Sequence, residues 1–411
     1  MAAHSNQTYS HNTPLVSAHD FLHDPTGLRQ TLEAHKALEF PPYTSGLYPA
    51  CALPPHMAQT TGYGMAWMRD NVHIAHALQQ SGNSAAAART GQAILNIFKT
   101  HYSKDPGSRP PVRVVGDTLA VDTDIMRSKQ NDSIGYALWL ASRFITNNVL
   151  EPTKENIDTV MQTVRYLDHI QYWQDDDSGH WEEARKVNAS SIGTVVAGLK
   201  AVKAMGRQTN HNIDLDELIG KGVQSLQAIL PYETRQPAEA VRRYDAALLF
   251  LVEPLNIVSP EQAEKIVQDI SIHLVRDKGI IRYPGDTYWA PDFKSVMDAD
   301  ERTTSAPGRL EQRNLLAKGI QQSKTEAQWT LFDPILSVYW GRRGNRERQL
   351  LHLDRSLAQL TPSTDGQIWH LPEAYFLENG QWVPNDHRPI LWAQANLLLA
   401  LNMFEATTSQ G

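Results

Sequence analysis

Five short segments hold most of the side chains that could do chemistry. They are Tyr63-Gly-Met-Ala-Trp67-Met-Arg69-Asp70, Gln130-Asn131-Asp132, Trp181-Glu182-Glu183, Arg282-Tyr283-Pro284-Gly285-Asp286-Thr287-Tyr288-Trp289 and Pro372-Glu373-Ala374-Tyr375. Brought together, they would make a site with many carboxylates, few cations and several aromatic rings. That composition suits a sugar. A pyranose has apolar faces that Trp and Tyr can cover, and hydroxyls that Asp, Glu, Arg and Asn can bind. Breaking a glycosidic bond needs two carboxyl groups, one protonated to assist the leaving oxygen and one ionised to act on the opposite face of the ring. Glu182 and Glu373 are the candidates, and they lie so far apart in the chain that only the fold can join them.

Each segment also has a plainer reading. Two adjacent glutamates are ordinarily solvated surface, Arg69-Asp70 can be a charge pair at a helix start, and Asp132 can be a helix cap. Trp67 and Trp181, flanked by charges, are the better stacking candidates, whereas Trp329, Trp340 and Trp392 read as core. Other chemistries find less support. His73 and His76 lie three apart on one helix, but no third ligand follows at sensible spacing, so no metal site is expected. A nucleophile elbow and a phosphate-cradling glycine loop are both missing.

Bulk properties narrow the classes further. The 411 residues are 41% hydrophobic and 20% charged with a formal charge of −7, which describes a globular chain without the clustered cations that nucleic acid requires. The single cysteine, Cys51, can form neither an internal disulfide nor a thiolate cage. Met1 to Thr13 is polar and no run of eighteen apolar residues occurs, so neither a signal peptide nor a membrane span is expected and the cytoplasm is the expected location.

Helical spacing dominates the elements that must position these segments. Ile192, Val195, Val196, Leu199 and Val202 form the clearest buried stripe, within a helix expected over Ala189–Gly206. Further helices are expected at Gly27–Leu38, Asp70–Gln80, Ser84–His101, Ser133–Asn147, Thr153–Ile170, Leu215–Leu230, Ala238–Leu251, Pro260–Leu274, Glu326–Trp340, Arg346–Leu360 and Arg388–Phe404. Asp214 with Glu217 and Ser259 with Gln262 fit capping boxes. Alternating strand patterns are scarce, so the chain reads as all-α. No linker divides it: a polar segment 1–26 precedes one domain at 27–406, interrupted by a polar excursion at 291–324. A dozen helices can form a superhelix, a globin-like pile or a closed ring of hairpins. If they run up and down, every second connection lies at one end, and the five segments could share a rim.

The order of the motifs resembles glycoside hydrolase family 15, the glucoamylase family, and the related glucoamylase-like domain of the phosphorylase kinase α subunit, from about Ser45 to Phe404. Trp67-Met-Arg69-Asp70 resembles the segment whose Arg and Asp hold the terminal sugar, with Tyr63 as the ring facing the reacting carbon. Trp181-Glu182-Glu183 resembles the general-acid segment, in which the first Glu is the acid and the second binds sugar. Arg282-Tyr283-Pro284 with Asp286-Thr287-Tyr288 resembles a further substrate-binding stretch. Glu373 and Tyr375 resemble the general-base segment, although Ala374 stands where the family usually carries a polar residue. The resemblance implies an (α/α)6 barrel of six inner and six outer helices. It also implies an exo-acting, inverting α-glucosidase that needs no cofactor and releases glucose from the non-reducing end of an oligosaccharide or α-glucan. Arg69 and Asp70 would close the pocket, Asp132 would be a further sugar ligand, and Tyr63 and Tyr375 would face the developing positive charge. Glu183, Arg282 and Asp286 would contact the leaving side, and an ionised Glu183 would help keep Glu182 protonated. The alternatives are a non-catalytic glucan-sensing or regulatory barrel, or a hydrolase of trehalose or isomaltose.

Overall fold

The computed structural model describes residues 14–122, 129–211, 213–236, 238, 241–286, 288–289 and 325–408. The helices are α1 (Pro25–Ala34), α2 (Pro55–Thr61), α3 (Met68–Gln80), α4 (Ser84–Lys104), α5 (Asn131–Thr146), α6 (Lys154–His169), α7 (Ala189–Gln208), α8 (Asp216–Ile229), α9 (Leu249–Val252), α10 (Pro260–His273), α11 (Phe332–Arg342), α12 (Arg346–Leu357) and α13 (Leu391–Thr408). Neighbour relations among them close a ring: α3 packs on α5, α5 on α7, α7 on α9, α9 on α11, α11 on α13, and α13 back on α3. Outside it, α4 lies on α3, α6 on α5, α8 on α7, α10 on α9, α12 on α11 and α1 on α13. Among the described residues this is an (α/α)6 barrel, six helices inside and six outside.

Residue size explains who goes inside. An inner helix touches neighbours on every side, so it must be apolar or small nearly all round. In α5 almost every residue is buried, and in α7 every one from Ala189 to Leu199, well beyond the five-residue stripe seen in the sequence. These two helices meet at Gly135 and Gly198. A Cβ on Gly135 would lie 2.6 Å from the Val195 backbone nitrogen, and one on Gly198 would lie 2.9 Å from the Gly135 carbonyl oxygen. Strict alternation of inner and outer helices makes every inner helix run the same way. Their N-termini therefore share one rim, where exposed N–H groups and aligned peptide dipoles favour carboxylates.

Small sheets shape that rim. β1 (Ala66–Trp67) pairs with β2 (Arg113–Val114), and β3 (Gln328–Trp329), β6 (Ala374–Glu378) and β7 (Gln381–Pro384) form an antiparallel sheet in the order β3-β6-β7. A third pair joins β4 (Thr361–Pro362) to β5 (Trp369–His370). The β6–β7 hairpin turns through Asn379-Gly380, both at positive φ, with Glu378 paired to Gln381. Asn-Gly is the favoured pair for such a two-residue turn.

Two expected helices are shorter than the apolar spacing implies. Over the described residues 241–251 the chain turns helical at Ala246, because Arg242 pairs with Thr234 in a β-bridge and Asp245 caps the turn that follows. Over 326–340 the helix begins at Phe332, because Gln328 and Trp329 pair with Tyr375 and Ala374. Ser259 and Gln262 form their capping box, whereas Asp214 accepts from the Asp216 N–H and α8 has Leu215 at its cap. In the 1–26 segment, Ala18–Phe21 forms a short turn tied by the Ala18 N–H to Asp354 at 2.6 Å. The 291–324 excursion lies outside the described residues.

Candidate active site

The segment 63–70 enters α3 through β1 and contacts both candidate carboxylates. The Tyr63 hydroxyl donates to Glu373 Oε1 at 2.6 Å, and the Trp67 indole N–H donates to Glu182 Oε1 at 2.9 Å. The two rings are neighbours, with centroids 5.8 Å apart. Two acids separated by about half of the barrel in sequence are thus brought to adjacent side chains at one rim.

Glu182 sits in the turn before α7, with its backbone N–H on Gly179 and a positive φ of 56°. That conformation is uncommon for a residue with a side chain and tends to persist where function fixes it. Besides Trp67, Arg69 Nη2 donates to Oε1 at 3.3 Å; among the described residues nothing bonds Oε2. Burial pushes the carboxyl above the ordinary glutamate range, against the pull of Arg69, Arg113 and Trp67 and with a push from Asp132. Glu373 is the opposite case. Burial raises it, yet donors to the ionised form win: His387 Nδ1 at 2.9 Å, Tyr63, Tyr288 at 2.9 Å and Asn385 at 3.0 Å. The net effect lies below the ordinary value. The strand β7 explains the donor set, since the hairpin carries Asn385 and His387 back beside the residue that precedes β6.

Arg69 is buried and anchored by Asp132 Oδ2 at 2.8 Å and Gln130 Oε1 at 3.2 Å, both from the start of α5. Asp132 is therefore the counter-ion of Arg69, below Glu182. Asp70 is buried and has no side-chain partner among the described residues. Burial, opposed by Arg69 and aided by the charges of Glu182 and Glu373, lifts its carboxyl to about 7. It feels both candidate carboxylates at once.

Several expected contacts take other forms. Glu183 is held by Lys186 at 2.8 Å, Arg242 at 2.9 Å and the Tyr283 hydroxyl, which keep it ionised despite burial. The anion beside Glu182 that helps raise it is Asp132 rather than Glu183. Arg282 and Asp286 form a buried bidentate pair at 2.6 Å, with Trp181, Tyr288 and Trp329 around the guanidinium at 5.3, 4.8 and 4.9 Å. Trp181 donates to Asp245 at 2.9 Å. Trp67 is buried, with Arg113 over its ring at 4.7 Å, so one of its faces is taken.

Tyr375 does not face the reacting position expected of it. Its hydroxyl donates to the Gln359 carbonyl at 3.0 Å, because register with β3 points it to the barrel wall. The Tyr288 hydroxyl instead lies on Tyr63 at 2.8 Å and on Glu373. Sequence reasoning passed over Asn385, His387 and Arg113, and gave Tyr288 and Gln130 no role of their own within their segments. Tyr288 lay inside a recognised motif, and the Asn379-Gly380 turn could have signalled that Asn385 and His387 return to Glu373. Trp329 is buried in the core as expected and also borders the Arg282 guanidinium. His73 packs on Tyr136, Phe250 and Trp392, and His76 on Trp139. Among the described residues no group of three His, Cys, Asp or Glu could hold a metal, and no helix is long and apolar enough to cross a membrane.

Known structures share the fold at low identity. A wild-type glycosidase superposes with a TM-score of 0.64 at 17% identity, over 95% of this chain and 99% of that one. The glucoamylase of Saccharomycopsis fibuligera gives 0.63 at 12%, over 100% and 99%. A bacterial glucoamylase complexed with acarbose gives 0.59 at 16%, over 89% of this chain and 55% of its own. No curated protein sequence matches the chain. The model of glycosyl hydrolases family 15 matches residues 31–400, nearly the whole length, and the chain belongs to that family.

Proposed function

We propose that the chain is an exo-acting, inverting α-glucoside hydrolase that frees glucose from the non-reducing end of an oligosaccharide or α-glucan. The observation that carries this reading is the opposed state of two acids on adjacent side chains: Glu182 is pushed towards its protonated form and Glu373 is held ionised. Glu182, with Oε2 open, protonates the glycosidic oxygen. Glu373 takes a proton from the water that attacks the anomeric carbon on the other face. Room for that water calls for carboxyls on the order of 6.5–9.5 Å apart. Arg69 and the unpartnered Asp70 bind the far hydroxyls of the terminal glucose and close the pocket, which makes the cleavage exo. The Tyr63 and Tyr288 hydroxyls lie next to the base, where positive charge develops on the sugar. The Arg282–Asp286 pair and its aromatic collar receive the leaving sugar, and the barrel at 27–406 is the catalytic unit.

The test is glucose release from maltose, isomaltose, trehalose and short maltodextrins by the purified protein. Release from one or more is expected, at one glucose per step. Calorimetric binding of these sugars with no turnover would overturn the reading in favour of a sensing barrel.

A further inference from the structure

The two oxygens of Glu373 are not equivalent. Oε2 accepts from the Tyr288 hydroxyl at 2.9 Å, Asn385 Nδ2 at 3.0 Å and His387 Nδ1 at 2.9 Å, whereas among the described residues Oε1 accepts only from the Tyr63 hydroxyl at 2.6 Å. A carboxylate has about four lone-pair sites over its two oxygens. Three donors fill Oε2, and Oε1 keeps a lone pair open. His387 touches both halves of this arrangement. It is 1% exposed, its ring stacks on Tyr63 at 3.7 Å, and Trp289 closes on it edge-on at 5.6 Å. Its carbonyl accepts from the Glu373 N–H at 2.9 Å, so backbone and side chain hold the same residue. An ionised carboxylate only accepts, which fixes a proton on Nδ1.

Resting on the hydrolytic reading above, we infer that His387 is the positioning residue of the base: by occupying Oε2 and backing Tyr63 it leaves Oε1 of Glu373 as the atom that takes the proton from the attacking water. In that step a water O–H bond breaks, its proton goes to Oε1, and the water oxygen forms the new bond to the anomeric carbon. The glycosidic bond breaks with its electron pair moving to the leaving oxygen, which collects the proton of Glu182. His387 touches neither sugar nor water. The titratable groups in contact with it are Glu373, Tyr63 and Tyr288, and Asp386 and Arg388 flank it in its own loop. Asp70 and Cys51 are the further groups that feel the charge of Glu373.

The experiment compares wild type, His387→Phe and His387→Asn on the best substrate from the sugar panel. Phe keeps a ring against Tyr63 and loses the donor; Asn keeps an N–H near the Nδ1 position and loses the ring. His387→Phe should lower kcat about 10- to 100-fold, the worth of one hydrogen bond to a charged group, with KM changed less than about twofold. Activity is lost as pH falls through the ionisation of Glu373, so loss of the donor should move the acidic limb of kcat/KM upward by about one unit. His387→Asn should recover part of both effects. An unmoved acidic limb in His387→Phe, or a His387→Asn variant no better than it, overturns the inference. If the Phe variant does not fold, His387→Leu replaces it as the variant without the donor, and the same two outcomes decide: an unmoved acidic limb in His387→Leu, or a His387→Asn variant no better than it, overturns the inference. A wild type that hydrolyses none of the sugars fails at the earlier step, overturning the hydrolytic reading and this inference with it.

Discussion

Replacing Trp67 by Phe removes one donor from the acid side of the cleft while keeping an aromatic ring beneath Arg113. The lost bond is the indole N–H on Glu182 Oε1 at 2.9 Å. A hydrogen bond to a charged acceptor contributes roughly 1.5–3 kcal/mol, or one to two decades in an equilibrium constant. Arg69 still reaches the same oxygen at 3.3 Å and opposes burial more strongly than Trp67 does, so the shift should fall near the lower end, about one unit. Its sign follows from the state the bond favours. Trp67 stabilises ionised Glu182, so its loss raises an already raised carboxyl. Hydrolysis needs Glu182 protonated and declines as pH rises through its ionisation; the basic limb of kcat/KM should therefore move upward. A freer acid is also a worse-placed one, and kcat at the optimum should fall about tenfold on a disaccharide. Glucosyl fluoride, whose leaving group needs little protonation, should be affected much less. A basic limb that stays put or moves down, or equal losses on both substrates, refutes the assignment of Glu182 as the acid.

Other consequences are as direct. Tyr288→Phe should lower kcat about tenfold by taking a donor from Glu373, whereas Tyr375→Phe should leave kcat within about twofold and cost about 1 kcal/mol in a denaturant melt, since its hydroxyl donates to the Gln359 carbonyl. Asp70, lifted to about 7, favours folding while protonated and loses that contribution as pH rises through 7. Asp70→Asn should therefore melt higher than wild type above pH 7, by a few kcal/mol at ~1.4 kcal/mol per pKa unit, while losing hydrolysis. Gly135→Ala would set a methyl against the α7 backbone and should destabilise the barrel by about 1–3 kcal/mol or more, read as a fall in the thermal midpoint.

Helices were legible from apolar spacing, as in α7, and from caps, as at the Ser259–Gln262 box that opens α10. The sequence misled where partners distant in the chain impose strand pairing on helix-like spacing. Gln328 and Trp329 follow a helical pattern, but β6 offers backbone partners that local propensity cannot see. The same limit applies to the site. Glu182, Glu373, Arg69 and Asp70 could be chosen by residue type and order. The donor set of Glu373 depends on a hairpin register, so neither the Tyr288 nor the His387 contact with it could be read from the chain. Charge partners were equally hidden. Glu183 looked like a neighbour that would raise Glu182, yet Lys186 and Arg242 neutralise it, and Asp132 from α5 supplies the push.

The central claim concerns two acids that attack one bond from opposite faces with a single water between them, and the configuration of the first glucose released reads it directly. Proton NMR, recorded during hydrolysis and before the anomers equilibrate, should show β-glucose appearing first from an α-linked substrate. Initial release of α-glucose would mean that Glu373 bonds to the sugar itself, and would contradict the account.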